Sequence, residues 1–158
     1  MSFVHFQTHS EFSLLRSTCR VKEFLHEAIQ NNQPAIALTD HGNMFGILEF
    51  YMEAQKLNKE RQNQGLSPIN AILGSHIYVE ASTANTKEEQ SYHRLTLLVK
   101  SNEGYQNLIK IVSYCYEDDE LYKEIPAVPL EFIQKHSEGL FALAGDYFRS
   151  FGTDEWCG

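Results

Sequence analysis

Seven histidines stand out among the residues able to do chemistry: His5, His9, His26, His41, His76, His93 and His136. Imidazole moves protons near neutral pH and, when neutral, is the commonest metal ligand. The first group is His5-Phe6-Gln7-Thr8-His9-Ser10. If residues 3–8 form a strand, Phe3, His5, Gln7 and His9 share one face, and neighbours two apart lie about 6.6 Å from one another. His5 and His9 are then about 13 Å apart, too far to share one ion with bonds of about 2 Å. The pair to consider is Gln7 and His9, and the neutral amide oxygen of Gln7 is a poor ligand for a transition metal. Asp40-His41 stands at a strand-to-turn junction before Gly42-Asn43. That position suits a ligand or general base. It equally suits a carboxylate that caps the turn's backbone donors with a histidine packed beside it. His76 and His93 each stand alone on a strand, where a hydrogen-bonded structural histidine is the commoner use. His26 and His136 have no acidic or histidine neighbour at ligand spacing and read as surface residues. No Walker A, G-x-S-x-G or H-E-x-x-H pattern occurs.

The elements that must position these residues follow from periodicity. Residues 3–8 read as a short strand. Val21 to Ile29 reads as a helix, with Val21, Phe24, Leu25 and Ala28 on one side. Residues 35–39 form an apolar run entered through Pro34 and closed by the 40–43 turn. Met44 to about residue 62 reads as a longer helix with Phe45, Leu48, Tyr51, Met52 and Gln55 along one face. Residues 69–73 and 77–79 look like a strand broken around Gly74. A polar loop over 82–91 leads to a strand over 93–100, with Leu95, Leu97 and Val99 on one face. A helix over 103–116 starts at a Ser101 or Asn102 cap. Glu117-Asp118-Asp119-Glu120 reads as a solvated loop. A short helix from Pro129 to about Lys135 and a strand over 139–143 complete the series. Strands alternating with helices predict an α/β fold with mostly parallel strands, whose ligands bind at strand ends. His9, Asp40-His41 and Asp146 follow strands in this reading, and His76 lies within one.

Composition bounds the alternatives. The chain has 158 residues, and 13 Lys+Arg against 21 Asp+Glu give a formal net charge of −8. That length suits one ordinary domain. Hydrophobic residues are 42% and charged residues 22%, which excludes disordered and fibrous classes. No apolar run approaches the roughly 18 residues of a membrane helix. The N-terminus has no basic segment leading into an apolar stretch, so no secretory signal is read there and the cytoplasm is the expected compartment. The acidic balance argues against a stand-alone nucleic-acid binder, since phosphate affinity is mostly cationic. Cys19, Cys115 and Cys157 are far apart and odd in number. They predict neither a zinc ribbon nor a disulfide framework, and Cys19 and Cys115 read as buried free thiols.

Several segments resemble a known family. Phe3-Val4-His5-Phe6-Gln7-Thr8-His9-Ser10-Glu11-Phe12-Ser13-Leu14-Leu15 is similar to the opening motif of the PHP (polymerase and histidinol phosphatase) domain. The version it resembles stands at the N-terminus of bacterial replicative DNA polymerase III alpha subunits. Pro34-Ala35-Ile36-Ala37-Leu38-Thr39-Asp40-His41-Gly42-Asn43-Met44-Phe45-Gly46 resembles the second motif, and Ile72-Leu73-Gly74-Ser75-His76-Ile77-Tyr78-Val79 the third. His93 through Leu108 is of the polymerase type, and Ser137-Glu138-Gly139-Leu140-Phe141-Ala142-Leu143 matches a further block. The resemblance implies a distorted seven-stranded β/α barrel. It also implies a cluster of divalent metal ions (Zn, Mn or Mg) at the strand ends, which in active members activates water to cleave phosphoesters. In some polymerases the domain resembles a 3′–5′ exonuclease. In others the metal site has decayed, and the domain docks a separate proofreading exonuclease subunit.

Carried over position by position, the resemblance implies metal-ligand candidates at His9, His41, His76, His93 and Asp146. The third-motif glutamate is here His76, and the late cysteine or histidine is Asp146. Gln7 replaces the first histidine of the opening pair, and Arg16 replaces an aspartate. A guanidinium carries no lone pair for a metal. At that position it either repels a cluster and fills the site as a surrogate cation paired with a carboxylate such as Asp146, or points to solvent. The reading that follows is a PHP domain with a degenerate metal site, little bound metal and a structural or exonuclease-docking role. It contacts the rest of the polymerase chain, reaches DNA only through that chain, and touches no membrane. An active metal-dependent exonuclease or phosphoesterase, and a free-standing small-molecule phosphatase, are the alternatives. The later strands and ligands of the full barrel are not found in residues 1–158, so the chain is expected to be the N-terminal part of a longer polypeptide.

Overall fold

A computed structural model describes residues 3–80, 92–116 and 127–144. The 82–91 loop, the 117–120 charge run and Asp146 lie outside the described residues. The elements are α1 (Val21–Gln30), β1 (Ala35–His41), α2 (Ile47–Asn63), β2 (Asn70–Glu80), β3 (Tyr92–Val99), α3 (Asn102–Tyr114), β4 (Ala127–Val128), α4 (Leu130–Lys135) and β5 (Leu140–Ala144). They build one sheet in the order β1-β2-β3-β5, with β4 beside the far end of β2. The fold is α/β, a partial β/α barrel.

The sheet is mixed, where mostly parallel strands were expected. β1 and β4 run parallel to β2, whereas β2–β3 and β3–β5 are antiparallel. The β1–β2 crossover carries α2, as a parallel pair requires. Between β2 and β3 only residues 81–91 intervene, so that pair is free to run antiparallel.

β2 is one strand of 11 residues and passes through Gly74 without a break. Glycine is needed there by packing: an added Cβ would lie 2.5 Å from the Leu97 carbonyl oxygen. The expected strand over 3–8 is instead an irregular segment laid along β1. Ala37 N–H donates to His5 O at 3.0 Å and Thr39 N–H to Thr8 O at 2.8 Å. Three residues on one side thus span two on the other, which breaks the regular period of two.

Two apolar clusters hold the layers together. The first packs Val21, Leu25 and Ala28 of α1 and Ile47, Phe50, Ala54 and Leu57 of α2 against Ile36 and Leu38 of β1. The second packs Leu108, Ile111 and Val112 of α3 and Ile133 of α4 against Ile77, Val79, Leu95 and Leu97. Full burial of each such side chain stabilises by about 1.5–3 kcal/mol. The first turn of α3 is capped by Ser101 Oγ, which accepts from Gly104 N–H at 3.2 Å. A Cβ added to Gly104 would land on the Gly139 carbonyl, so this helix start and the turn before β5 fit only backbone to backbone.

The α2 expectation is corrected. Its buried residues are Ile47, Phe50, Ala54 and Leu57. Phe45, Leu48, Tyr51 and Met52 are instead exposed. The helix carries two apolar stripes, and the 47/50/54/57 spacing is the one that meets α1 and the sheet. Phe45, Leu48 and Tyr51 of the exposed stripe line two clefts that Tyr105, Ile109 and Tyr116 also line. Cys19 is exposed, contrary to expectation, and Cys115 is half-buried with its thiol pushed up to about 11 by desolvation. His26 lies on the exposed side of α1 as expected. His136 is half-buried and tied to Phe132 O through Nδ1 at 2.9 Å.

Candidate functional site

Register decides which side chains meet. In a sheet, directly opposed residues share a face and sequence neighbours alternate. His41 is opposite His76, His76 is opposite Thr96, and Tyr78 is opposite Arg94. These five therefore stand on one face. The other face carries Ile77, Val79, Leu95 and Leu97 against α3 and α4.

The irregular N-terminal segment closes over the polar face. Thr39 Oγ1 donates to Thr8 O, and Thr8 Oγ1 makes a short hydrogen bond to Ala37 O. This brings His9 onto His41, with ring centroids 4.2 Å apart. His76 completes the group at 4.6 Å from His41 and 5.7 Å from His9. The loop carrying Ser10 and Ser13 is held by Asp40, whose carboxylate accepts from Ser10 N–H (2.7 Å), Ser10 Oγ (2.7 Å) and Ser13 Oγ (2.6 Å). Asp40 thus anchors the distant Ser10–Ser13 loop instead of capping its own turn, where Asn43 Oδ1 accepts from Phe45 N–H at 3.1 Å; Ser13 Oγ also accepts from His41 N–H at 3.1 Å.

Each imidazole has a defined setting. His9 Nδ1 meets the Thr39 carbonyl at 2.6 Å, so that nitrogen carries a proton. His76 is 8% exposed, and its Nδ1 lies 3.0 Å from Thr96 Oγ1, which also accepts from Gln7 Nε2 at 3.0 Å. His41 Nδ1 and His76 Nε2 are buried and have no hydrogen-bond partner. Burial first, and then His9, His76, Arg16 and Arg94, push the His41 imidazole down to about 3. Burial, His9, Arg94 and Arg16 push His76 down to about 4. Both rings are therefore neutral near pH 7.

The structure brings together His9, His41 and His76 and places Gln7 beside them through Thr96. Arg16 reaches over the same face, with Nη2 donating to Tyr78 Oη at 2.9 Å. Its described partner is that phenol, and the expected partner Asp146 lies outside the described residues. His93 is corrected: it is opposite Val79, on the apolar face, away from His76. The charged β3 residue on the site face is Arg94, which sequence reading passed over. The signal was available, because His93 has the parity of Leu95, Leu97 and Val99, and Arg94 that of Thr96.

A metal cluster demands anionic ligands and free lone pairs converging on one point. Among the described residues the cluster is three imidazoles and no carboxylate. Nδ1 of His9 and of His76 is engaged by Thr39 and Thr96, which leaves the opposite nitrogen of each ring open, and the Arg16 and Arg94 guanidinium groups add positive charge. Among the described residues, no group of three His, Cys, Asp or Glu side chains is arranged to hold a metal ion. These described donors alone, with no anionic ligand among them, do not make up the metal cluster that the resemblance implies.

A sheet with helices on one face and a strand-end polar cluster on the other is the construction of β/α barrel proteins that build their sites where strands end. The chain belongs to the PHP domain family, whose model matches residues 5–153. It is 34% identical over 148 residues to the DNA polymerase III subunit alpha of Chlamydia trachomatis, covering 91% of this chain and 11% of that protein. It is 36% identical over 147 residues to the subunit of the same name from Borreliella burgdorferi, covering 90% of this chain and 12% of that one. The chain therefore spans only about a ninth of the length of these curated relatives. An amidohydrolase structure from Chromobacterium violaceum is 18% identical with a TM-score of 0.47, covering 72% of this chain and 32% of that chain. Among the described residues no helix is long and apolar enough to cross a membrane.

Proposed function

We propose that this chain is the PHP region of a replicative DNA polymerase III alpha subunit with a degenerate metal site. In this reading it works in the cytoplasm as a structural element that docks against the rest of the alpha chain and against a proofreading exonuclease subunit. The observation that carries the reading is the pair of guanidinium groups, Arg16 and Arg94, beside a cluster that among the described residues is all imidazole. Positive charge at that place opposes a cluster of divalent cations. The exposed stripe of Phe45, Leu48, Tyr51 and Met52 supports a docking role, since contiguous apolar surface of this kind marks protein contacts. The net charge of −8 supports a protein partner over direct contact with a DNA backbone.

The test is elemental analysis of the purified chain together with a nuclease assay on a primer end. Well under one metal per chain and no primer-end hydrolysis are expected. Stoichiometric Zn or Mn, with hydrolysis abolished by His9→Ala, would establish the second reading, an active metal-dependent exonuclease or phosphoesterase. The convergence of His9, His41 and His76 favours that alternative.

A further inference from the structure

The side of α2 that the core does not use forms a ridge with a groove beside it. Met52 is two residues from Phe50 and from Ala54, about half a turn round the helix from both, so it stands on the crest away from the sheet. Leu48 and Tyr51 lie to one side of that crest and line a cleft of about 500 Å³. Tyr105 of α3 lines the same cleft, with Ala71, Leu73 and Val99 of the sheet. Tyr105 also lines a second cleft, of about 380 Å³, with Phe45, Ile109 and Tyr116. The two clefts meet at that one side chain, so ridge and groove belong to one patch.

The size of the patch says that it is covered. Phe45, Leu48, Tyr51, Met52, Ile109 and Tyr116 are all exposed. Their exposures amount to roughly 700 Å², taking about 150–250 Å² for a whole large side chain. The largest apolar patch on a typical monomer is about 300–600 Å², and one side of a stable interface is about 800 Å². The patch is also poor in charge, as the centre of an interface is. Lys100 is the charged residue lining the clefts, and its ammonium sits over the Phe141 ring, 5.4 Å from the centroid.

We propose that this face is a twofold interface between two copies of the chain, with Leu48 and Met52 at its centre. The ridge beside the groove carries the choice of occupant. A foreign helix laid in the groove covers Leu48 and Tyr51 and leaves Met52 in water on the crest. A second copy turned about a twofold axis sets its crest in this groove and receives this crest in its own. The proposal goes beyond the docking reading above. It rests only on that reading's premise that the stripe is a protein contact, and it names what covers it. Each copy carries a formal charge of −8, so apolar burial holds the pair against mutual repulsion, and salt should tighten it.

Sedimentation velocity of the full 158-residue chain from about 1 to about 200 μM tests this. A reversible monomer–dimer equilibrium is expected, tighter at high salt than at low. Leu48→Glu and Met52→Glu put a carboxylate into the contact and should each weaken the dimer about tenfold or more. Leu14→Glu, on an exposed leucine of another segment, should leave it unchanged. All three side chains are exposed, so the variants keep the fold, which far-UV circular dichroism checks, and the parent chain's mass is decisive without them. A chain that stays monomeric throughout overturns the inference and leaves the docking reading standing. A dimer that salt weakens, or that Leu48→Glu and Met52→Glu leave intact, also overturns it. A second arm adds a purified proofreading exonuclease subunit. A monomeric chain whose complex with that subunit is lost in Leu48→Glu gives the face to the subunit and overturns the inference. A dimer broken by both variants, with no complex formed with the subunit by parent or variant, supports the inference and removes the exonuclease-docking reading.

Discussion

β2 and β3 present two different molecules to their two sides. Ile77, Val79, Leu95 and Leu97 are between 0% and 3% exposed and face only hydrocarbon from α3 and α4. One residue away along each strand, His76, Tyr78, Thr96 and Arg94 face a polar chamber. The backbone hydrogen bonds of the ladder serve both faces equally. The difference is that the apolar face is specified by volume, and the polar face by proton positions. Substitutions at adjacent residues of the same strand should therefore fail in different ways.

The largest expected effect is on the apolar face. Leu97→Ala removes buried methyls beside Leu108 and Ile111 and should cost about 2–5 kcal/mol, read from the urea midpoint at unchanged slope. Its neighbour makes the contrast. Thr96→Val keeps the volume and β-branching but strips Gln7 Nε2 and His76 Nδ1 of their shared partner. A loss of about 1–3 kcal/mol is expected, smaller than at Leu97 and arising wholly from unpaired polar groups. A silent Thr96→Val would mean that the Gln7–Thr96–His76 chain is not formed in solution.

These pairs also show what was legible in the sequence. The helices and most strands were readable because their apolar residues recur with a clear period, as in Val21, Leu25 and Ala28 of α1 or Leu95 and Leu97 of β3. Four things were not. Gly74 looked like a break, because a lone glycine reads as punctuation until a neighbouring backbone is placed against it. The two apolar stripes of α2 were indistinguishable, since periodicity reports amphipathicity and not which stripe meets the core. At the site, His9, His41 and His76 were legible as residue types, and their meeting depends on the irregular 5–8 segment that no period describes. His93 was misplaced for a simpler reason: residue type outweighed strand parity, and parity pointed to Arg94.

The polar face should also govern behaviour in acid. His41 and His76 have folded-state pKa values pushed down to about 3 and about 4, against an ordinary 6.5. As pH falls below 6.5 the unfolded chain takes up protons that the folded chain refuses, so stability is lost from 6.5 downward and levels off below about 3. On the order of 2 kcal/mol should disappear between pH 6.5 and 4 from His76 alone. His76→Gln, which cannot titrate, should flatten that part of a urea-midpoint profile recorded in acetate and MES. An unchanged slope would place the imidazole in water rather than in the chamber.

The smallest effect on stability belongs to Arg94→Gln, which is expected to stay within about 0.5 kcal/mol of the parent at pH 7, as exposed substitutions do. Its signature lies elsewhere. Removing that cation relieves part of the penalty on a charged imidazole, so the His76 and His41 titrations should both move upward toward 6.5. Arg16→Gln should do the same, since Arg16 acts on both rings. Proton NMR of the imidazole C2–H resonances, followed from pH 7 to 3 without phosphate, reads this directly. A shift in both rings from either arginine places the two guanidinium groups over one chamber. A shift confined to Arg16→Gln would turn Arg94 out to solvent and leave the polar face with a single cation.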